Sequence, residues 1–143
     1  IVGIESASAE LARSLGVQHV YLGTDDLPGP FDAIVDATSD SGTPAMSLRY
    51  VEPGGRVVLI GISGEPSMID SRQITIGDMN VVGILGGSAG LGEAITAYAN
   101  RRVVPDPLVS EVIGLEDVAS RLKGERGPNA GPGPKVQVDP TLV

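Results

Sequence analysis

The chain reads as an α/β protein, a Rossmann-like doubly wound parallel sheet that is incomplete because its first strand is missing. Two observations predict this. Short aliphatic runs alternate with helix-like segments through the first hundred residues, and short links between strand, helix and strand mean parallel strands with right-handed crossovers. The hydrophobic fraction is 41% while aromatics are only 3%, so the core is built from Val, Ile, Leu and Ala, as buried parallel strands covered by helices require.

The elements follow in order. Residues 1–5, Ile-Val-Gly-Ile-Glu, read as a short buried strand ending in a carboxylate. A helix from Ser6 to Leu15 follows at once, with Leu11, Ala12 and Leu15 on one face and Gly16 as its stop. Gln18 to Leu22 is a weak strand, and a Gly-, Pro- and Asp-rich loop leads to a strong one, FDAIVDA, at 31–37. Thr43-Pro44 starts a helix, since Thr can cap and Pro suits the first helical position. That helix ends before Pro53-Gly54-Gly55, a turn into the most apolar strand, RVVLIGI, at 56–62. Gln73–Ile76 and Met79–Leu85 are two more β-prone runs. Leu91, Ala94, Ile95 and Tyr98 mark a helix at i, i+3, i+4, i+7. The pattern changes after Arg101: a strand at 108–113, a short helix at 116–122, a Gly/Pro-rich loop at 124–134 that reads as mobile, and a closing strand at 135–139.

Composition removes several classes. A net charge of −8 argues against a nucleic-acid or anionic-membrane surface. There are no cysteines, so this chain has no disulfide, thiol nucleophile or thiolate metal site. No apolar run reaches the ~18 residues of a membrane span, and no basic region precedes the apolar start as in a signal peptide. A cytoplasmic protein is expected.

The candidate functional residues sit where strands end. In a nucleotide-binding α/β fold, a carboxylate closing the second strand accepts the ribose hydroxyls of an adenosine, and Glu5 has that place. It would repel a 2′-phosphate, and the next residues, Ser6, Ala7 and Ser8, offer no Arg to welcome one, so NAD is favoured over NADP. Glu5 is otherwise a solvated acid at a helix start. The phosphate loop of such a fold belongs about 20 residues before that acid, so the chain reads as a piece cut downstream of it. Asp36-Ala37-Thr38-Ser39 supplies small residues where a flat ring could approach, although alone it reads as a polar loop. The glycines of Pro53-Gly54-Gly55 need only backbone geometry. Gly61, where the strand opens toward the ligand crevice, would let backbone N–H and C=O groups face a ligand amide. Gly83-Ile84-Leu85-Gly86-Gly87-Ser88 has neither the Lys nor the glycine spacing of a phosphate loop and reads as a hinge between two lobes. His19, the single histidine, has nothing nearby to orient it as a base, and Asp25-Asp26 reads as solvated acid. No catalytic residue and no metal ligand is expected in the chain.

The succession IVGIE, LARSLGV, FDAIVDAT, VEPGGRVVLIGI, NVVGILGG, LVSEVIGLEDVASRL and GPKVQV resembles the medium-chain, zinc-type alcohol dehydrogenases, and does so over nearly the whole length. The resemblance implies that residues 1–87 are the later part of an NAD-binding Rossmann domain. Residues 88–143 would be a linking helix and the closing segment of a GroES-like catalytic domain. It places Glu5 on the ribose, Ala37 and Thr38 beside the adenine, and Ile60, Gly61, Ile62, Leu85 and Gly86 at the nicotinamide amide. Lys135 falls near a basic position that approaches the cofactor. The run Gln73–Leu85 matches an edge through which such proteins pair into dimers, so a homo-oligomer is expected. Glu10 stands where members often carry a base. The activity implied is hydride transfer between an alcohol and its aldehyde or ketone, with any zinc bound by residues outside this chain.

A second reading remains open over residues 1–62. S-adenosylmethionine-dependent methyltransferases also carry an acid after the second strand, an FDxIV strand and a helix into PGGRVVLIG. That class finishes with a helix and a long antiparallel hairpin, whereas the tail here runs Gln73–Leu85, a helix, then PLVSEVIGLEDVASRL and a closing PKVQV strand, which favours the dehydrogenase. A non-catalytic nucleotide-binding remnant is the third reading. In the 3-2-1-4-5-6 strand order the missing first strand is central. The piece alone is therefore expected to carry a gap between the strands at 1–5 and 31–37 and to be unstable.

Overall fold

A computed structural model describes residues 1–3 and 5–142, with the side chain of Ser88 excepted. Ile4, within the first expected strand, lies outside the described residues. The chain divides into two compact units, Pro28–Leu91 and Ile1–Leu27 joined with Gly92–Val143. The architecture is α/β, with every strand pair parallel.

The unit Pro28–Leu91 is built on β3 (Phe31–Asp36), β4 (Val51–Leu59) and β5 (Asn80–Gly83), in the order β3-β4-β5. Helix α2 (Thr43–Tyr50) crosses from β3 to β4, and α3 (Ser71–Ile76) precedes β5. Leu48 of α2 and Val51 and Val57 of β4 form the buried core, with Ile34, Leu59, Ile74, Met79 and Val81 packed around them. Val57 is 0% exposed, and full burial of such a side chain favours folding by about 1.5–3 kcal/mol. The opposite face of this sheet, with Val35 and Val82, is exposed.

The structure departs from three expectations. Gln73–Ile76 is not a strand. Asp70 caps the backbone N–H of Arg72 at 3.1 Å and forks onto the Arg72 guanidinium at 2.7–3.2 Å. That start signal overrides the β-branched Ile74, Thr75 and Ile76. Pro53-Gly54-Gly55 is not a turn ahead of the strand but lies within β4, where the ladder slips between Phe31↔Val51 and Ala33↔Arg56. Gly54 takes the slip with a positive φ of 78°. A side chain on Gly55 would press on Val51 Cγ2 at 2.6 Å and on the Asp32 carbonyl at 2.8 Å. Thr43 does not cap α2: the N-cap is Gly42, and no side chain closes that end. Asp40 takes the Gly42 N–H instead, at 2.7 Å.

In the other unit, β1 (Val2–Gly3) pairs with β2 (Tyr21–Leu22) across α1 (Ser6–Ser14), which buries Ala9 and Ala12. Gln18 to Val20, expected in the second strand, lies outside β2, although the His19 carbonyl accepts the Ile1 amino group at 2.7 Å. Gly16, at φ 87°, ends α1, with Gly16 N–H bonded to the Arg13 carbonyl and Val17 N–H to that of Ala12. Helix α4 (Leu91–Ala99) ends through the same two bonds, with Arg101 at φ 53° in the glycine position. Strand β6 (Val109–Ile113) pairs with β7 (Lys135–Val138), separated by a 3-10 turn, Leu115–Asp117, and α5 (Val118–Leu122). The loop at 124–134 is not free, as its composition suggests: Gly131 N–H donates to the Ser110 carbonyl of β6 at 2.8 Å.

Candidate functional site

The unit Pro28–Leu91 brings three parallel strand ends side by side. The sequence after β3, Asp36-Ala37-Thr38, turns sharply because the buried Asp36 carboxylate accepts the Thr38 N–H at 2.9 Å, a local turn that Asp favours. The Asp36 carbonyl receives two donors from the end of β4, Ile60 N–H at 2.9 Å and Gly61 N–H at 3.0 Å. Ile84 N–H, just past β5, donates to the Leu59 carbonyl at 2.9 Å. Ala37 and Thr38, Ile60 to Ile62, and Leu85 and Gly86 thus share the carboxyl ends of adjacent strands, where ligands of open α/β sheets bind.

Gly61 is required by packing. A Cβ there would run into the Thr38 backbone, 2.6 Å from its nitrogen and closer still to its carbonyl oxygen. Its N–H is already spent on Asp36, so the glycine serves a close backbone approach. An N–H free to face a ligand amide, expected at this position, is not what the structure shows. The same contact joins two expectations. Thr38, expected beside an adenine, and Gly61, expected at a nicotinamide, abut one another.

A cleft of about 170 Å³ opens here, lined among others by Asp36, Thr38, Asp40, Leu59, Gly61 and Ser63. Pockets for whole drug-sized ligands run to roughly 300–1,000 Å³, so this cleft has room for no more than a fragment, the size of a ribose or an amide-bearing ring. No lining residue is basic. Two carboxylates and neighbouring hydroxyls accept hydrogen bonds from hydroxyl or amide groups and repel a phosphate. Ile62 and Leu85, 70% and 87% exposed, add apolar surface at the same ends. Asp40, Ser63 and Ser67 of the cleft were not expected as site residues. The Asp-x-Gly spacing of Asp40 and Gly42 was the available signal for the first, since Asp commonly bonds the N–H two residues on.

Glu5 and Lys135 belong to the other unit. Glu5 follows β1 in extended conformation (φ −115°, ψ 135°) as N-cap of α1, exposed and making no capping hydrogen bond. Its carboxylate is therefore available to a ligand. Lys135 opens β7 and is exposed.

A family model described as zinc-binding dehydrogenase matches residues 1–100. The chain belongs to that family. Among curated relatives, the glucose 1-dehydrogenase 1 of Vulcanisaeta moutnovskia (strain 768-28) is 31% identical over 72 residues, covering 50% of this chain and 19% of that protein. Among solved structures, a Sinorhizobium meliloti 1021 protein described as a zinc-binding dehydrogenase, bound to NADP, matches with a TM-score of 0.80 at 21% identity, over 97% of this chain and 44% of its own. An Escherichia coli CFT073 protein described as a short chain alcohol dehydrogenase, complexed with NADH, matches with a TM-score of 0.78 at 16% identity, over 91% and 42%. The chain thus spans about a fifth of the curated relative and less than half of these structures. The methyltransferase alternative finds no support in these matches.

Zinc does not fit the residues present. The chain has no cysteine and one histidine, and among the described residues no group of three or more His, Asp or Glu could hold a metal ion. No helix among them is long and apolar enough to cross a membrane.

Proposed function

We propose that this chain supplies cofactor-holding parts of a cytoplasmic NAD(H)-dependent oxidoreductase that passes hydride between a small alcohol and its aldehyde or ketone. The observation that carries the reading is the row of parallel strand ends at Thr38, Gly61 and Leu85, with its acidic, phosphate-averse cleft, in a chain of the zinc-binding dehydrogenase family. When bound, the nicotinamide accepts or donates the hydride. Residues 1–87 are the cofactor-binding part, and 88–143 link to and close a catalytic domain.

Glu5 accepts the adenosine ribose hydroxyls and disfavours a 2′-phosphate. Ile60, Gly61, Ile62, Leu85 and Gly86 meet the nicotinamide end. Ala37 and Thr38 approach the adenine, with the Thr38 backbone packed against Gly61. Lys135 contributes a positive charge toward the cofactor, and any zinc takes its ligands from outside this chain. A homo-oligomer forms through the edge first expected over Gln73–Leu85, with Asn80–Gly83 the part in strand conformation. Among the described residues that strand has β4 on one side only, so its other edge is open to pair.

Isothermal titration of the full-length protein with NADH, NADPH and S-adenosylmethionine in separate runs tests the reading. NADH should bind more tightly than NADPH, and Glu5→Gln should weaken NADH by roughly tenfold while narrowing the difference, the loss of about one charge-assisted hydrogen bond. Binding of S-adenosylmethionine alone, or of none of the three, would overturn it.

A further inference from the structure

The run Gly124–Pro134 has a linker's composition, yet three of its glycines lie against β6. A side chain on Gly127 would collide with the Glu111 carboxylate and come within 2.9 Å of Arg121 Nη2. Gly131 N–H bonds to the Ser110 carbonyl at 2.8 Å. A side chain on Gly133 would strike the Leu108 carbonyl. Glycine is what lets the segment lie this close. The central fastening is charged. Arg121 of α5 forks onto Glu111 of β6, Nε to Oε1 at 2.8 Å and Nη2 to Oε2 at 3.2 Å, with both side chains about 15% exposed or less. Such two-pronged pairs are the stronger and more directional kind. Arg121, and with it a backbone bond from Gly127, holds the Glu111 carboxyl below its ordinary range, so the pair stays ionised at neutral pH. Further along, Arg126 donates to the Gly131 carbonyl, and Ser110 Oγ, at the slip in the β6–β7 ladder, donates to the Lys135 carbonyl at 3.0 Å. Among the described residues, β6 is the only strand β7 pairs with.

We propose that the Glu111–Arg121 pair is a clasp that fastens Gly124–Pro134 as a strap across β6, and that this fastening sets where β7 and Lys135 lie. Opening the clasp frees the strap while the Pro28–Leu91 unit stays folded. The device does not depend on which ligand the protein takes.

Limited trypsin digestion of the full-length protein tests this, because Lys123 and Arg126 place two cleavable bonds in the strap and Arg72 places an exposed reference bond in the other unit. Cleavage by a protease reads the population of the open form. Glu111→Gln should be cut after Lys123 and Arg126 roughly tenfold faster than the wild type, with cutting after Arg72 unchanged. Gly127→Ala, which keeps both charges but pushes the carboxylate aside, should do the same. The double variant should be cut no faster than the faster single variant, because both break one contact. Where Glu111→Gln gives no folded protein, Gly127→Ala decides by itself. Unchanged strap cleavage, or effects that multiply in the double variant, would overturn the proposal.

Discussion

Ile1-Val2-Gly3 and Val57-Val58-Leu59 are similarly aliphatic, yet the first contributes two paired residues to β1 and the second lies within the nine-residue β4. The difference is what surrounds them. Strand β4 has β3 on one side, β5 on the other and α2 over its core face, so Val57 is fully buried. Among the described residues strand β1 has β2 alone, and Val2 remains 41% exposed. Apolar sequence nominates a parallel strand, but neighbours on both edges and a covered face determine how long it becomes.

Mutations in the two strands' surroundings should differ in their cost. Leu48→Ala removes a side chain that α2 buries against Val51 and Val57. It should cost about 3 kcal/mol in urea unfolding followed by a probe of the Pro28–Leu91 unit. Ser47, beside it, is fully buried with a hydroxyl that has no hydrogen-bond partner among the described residues. Ser47→Ala relieves that desolvated group and should stabilise the protein by about 1 kcal/mol, read as a raised melting temperature. Val2→Ala should change stability by less than about 0.5 kcal/mol, because Val2 loses little contact. A Val2 effect as large as that of Leu48 would show that β1 belongs to a core as closed as the one around β4.

The parts of the fold visible in the sequence were those set by local chemistry or by long periodicity. The spacing of Leu91, Ala94, Ile95 and Tyr98 marks α4, and Gly16 marks the end of α1. Other parts depend on residues far apart in the chain. The slip that absorbs Gly54 and Gly55 into β4 arises from pairing with Phe31 and Ala33, which no local pattern records. At Gln73–Ile76 two local signals competed, and the Asp70 cap overrode the β-branched run. The candidate site divides in the same way. Thr38 and Gly61 were readable as strand-end residues. Their backbone contact was not, because it requires β3 and β4 to lie side by side. The strap at 124–134 misleads for a related reason: its glycines serve close approach to Glu111, Ser110 and Leu108, and the same composition would serve a free linker.

In the proposed function the carboxyl ends of β3, β4 and β5 form the cofactor-facing surface. Hydrogen exchange of the full-length protein with and without saturating NADH tests it most directly. Protection should rise at 37–40, 61–64 and 84–87 and stay unchanged in α3, which lies at the other end of β5. Protection absent from the strand ends while NADH is bound, or confined to α3 and the start of β5, would contradict it.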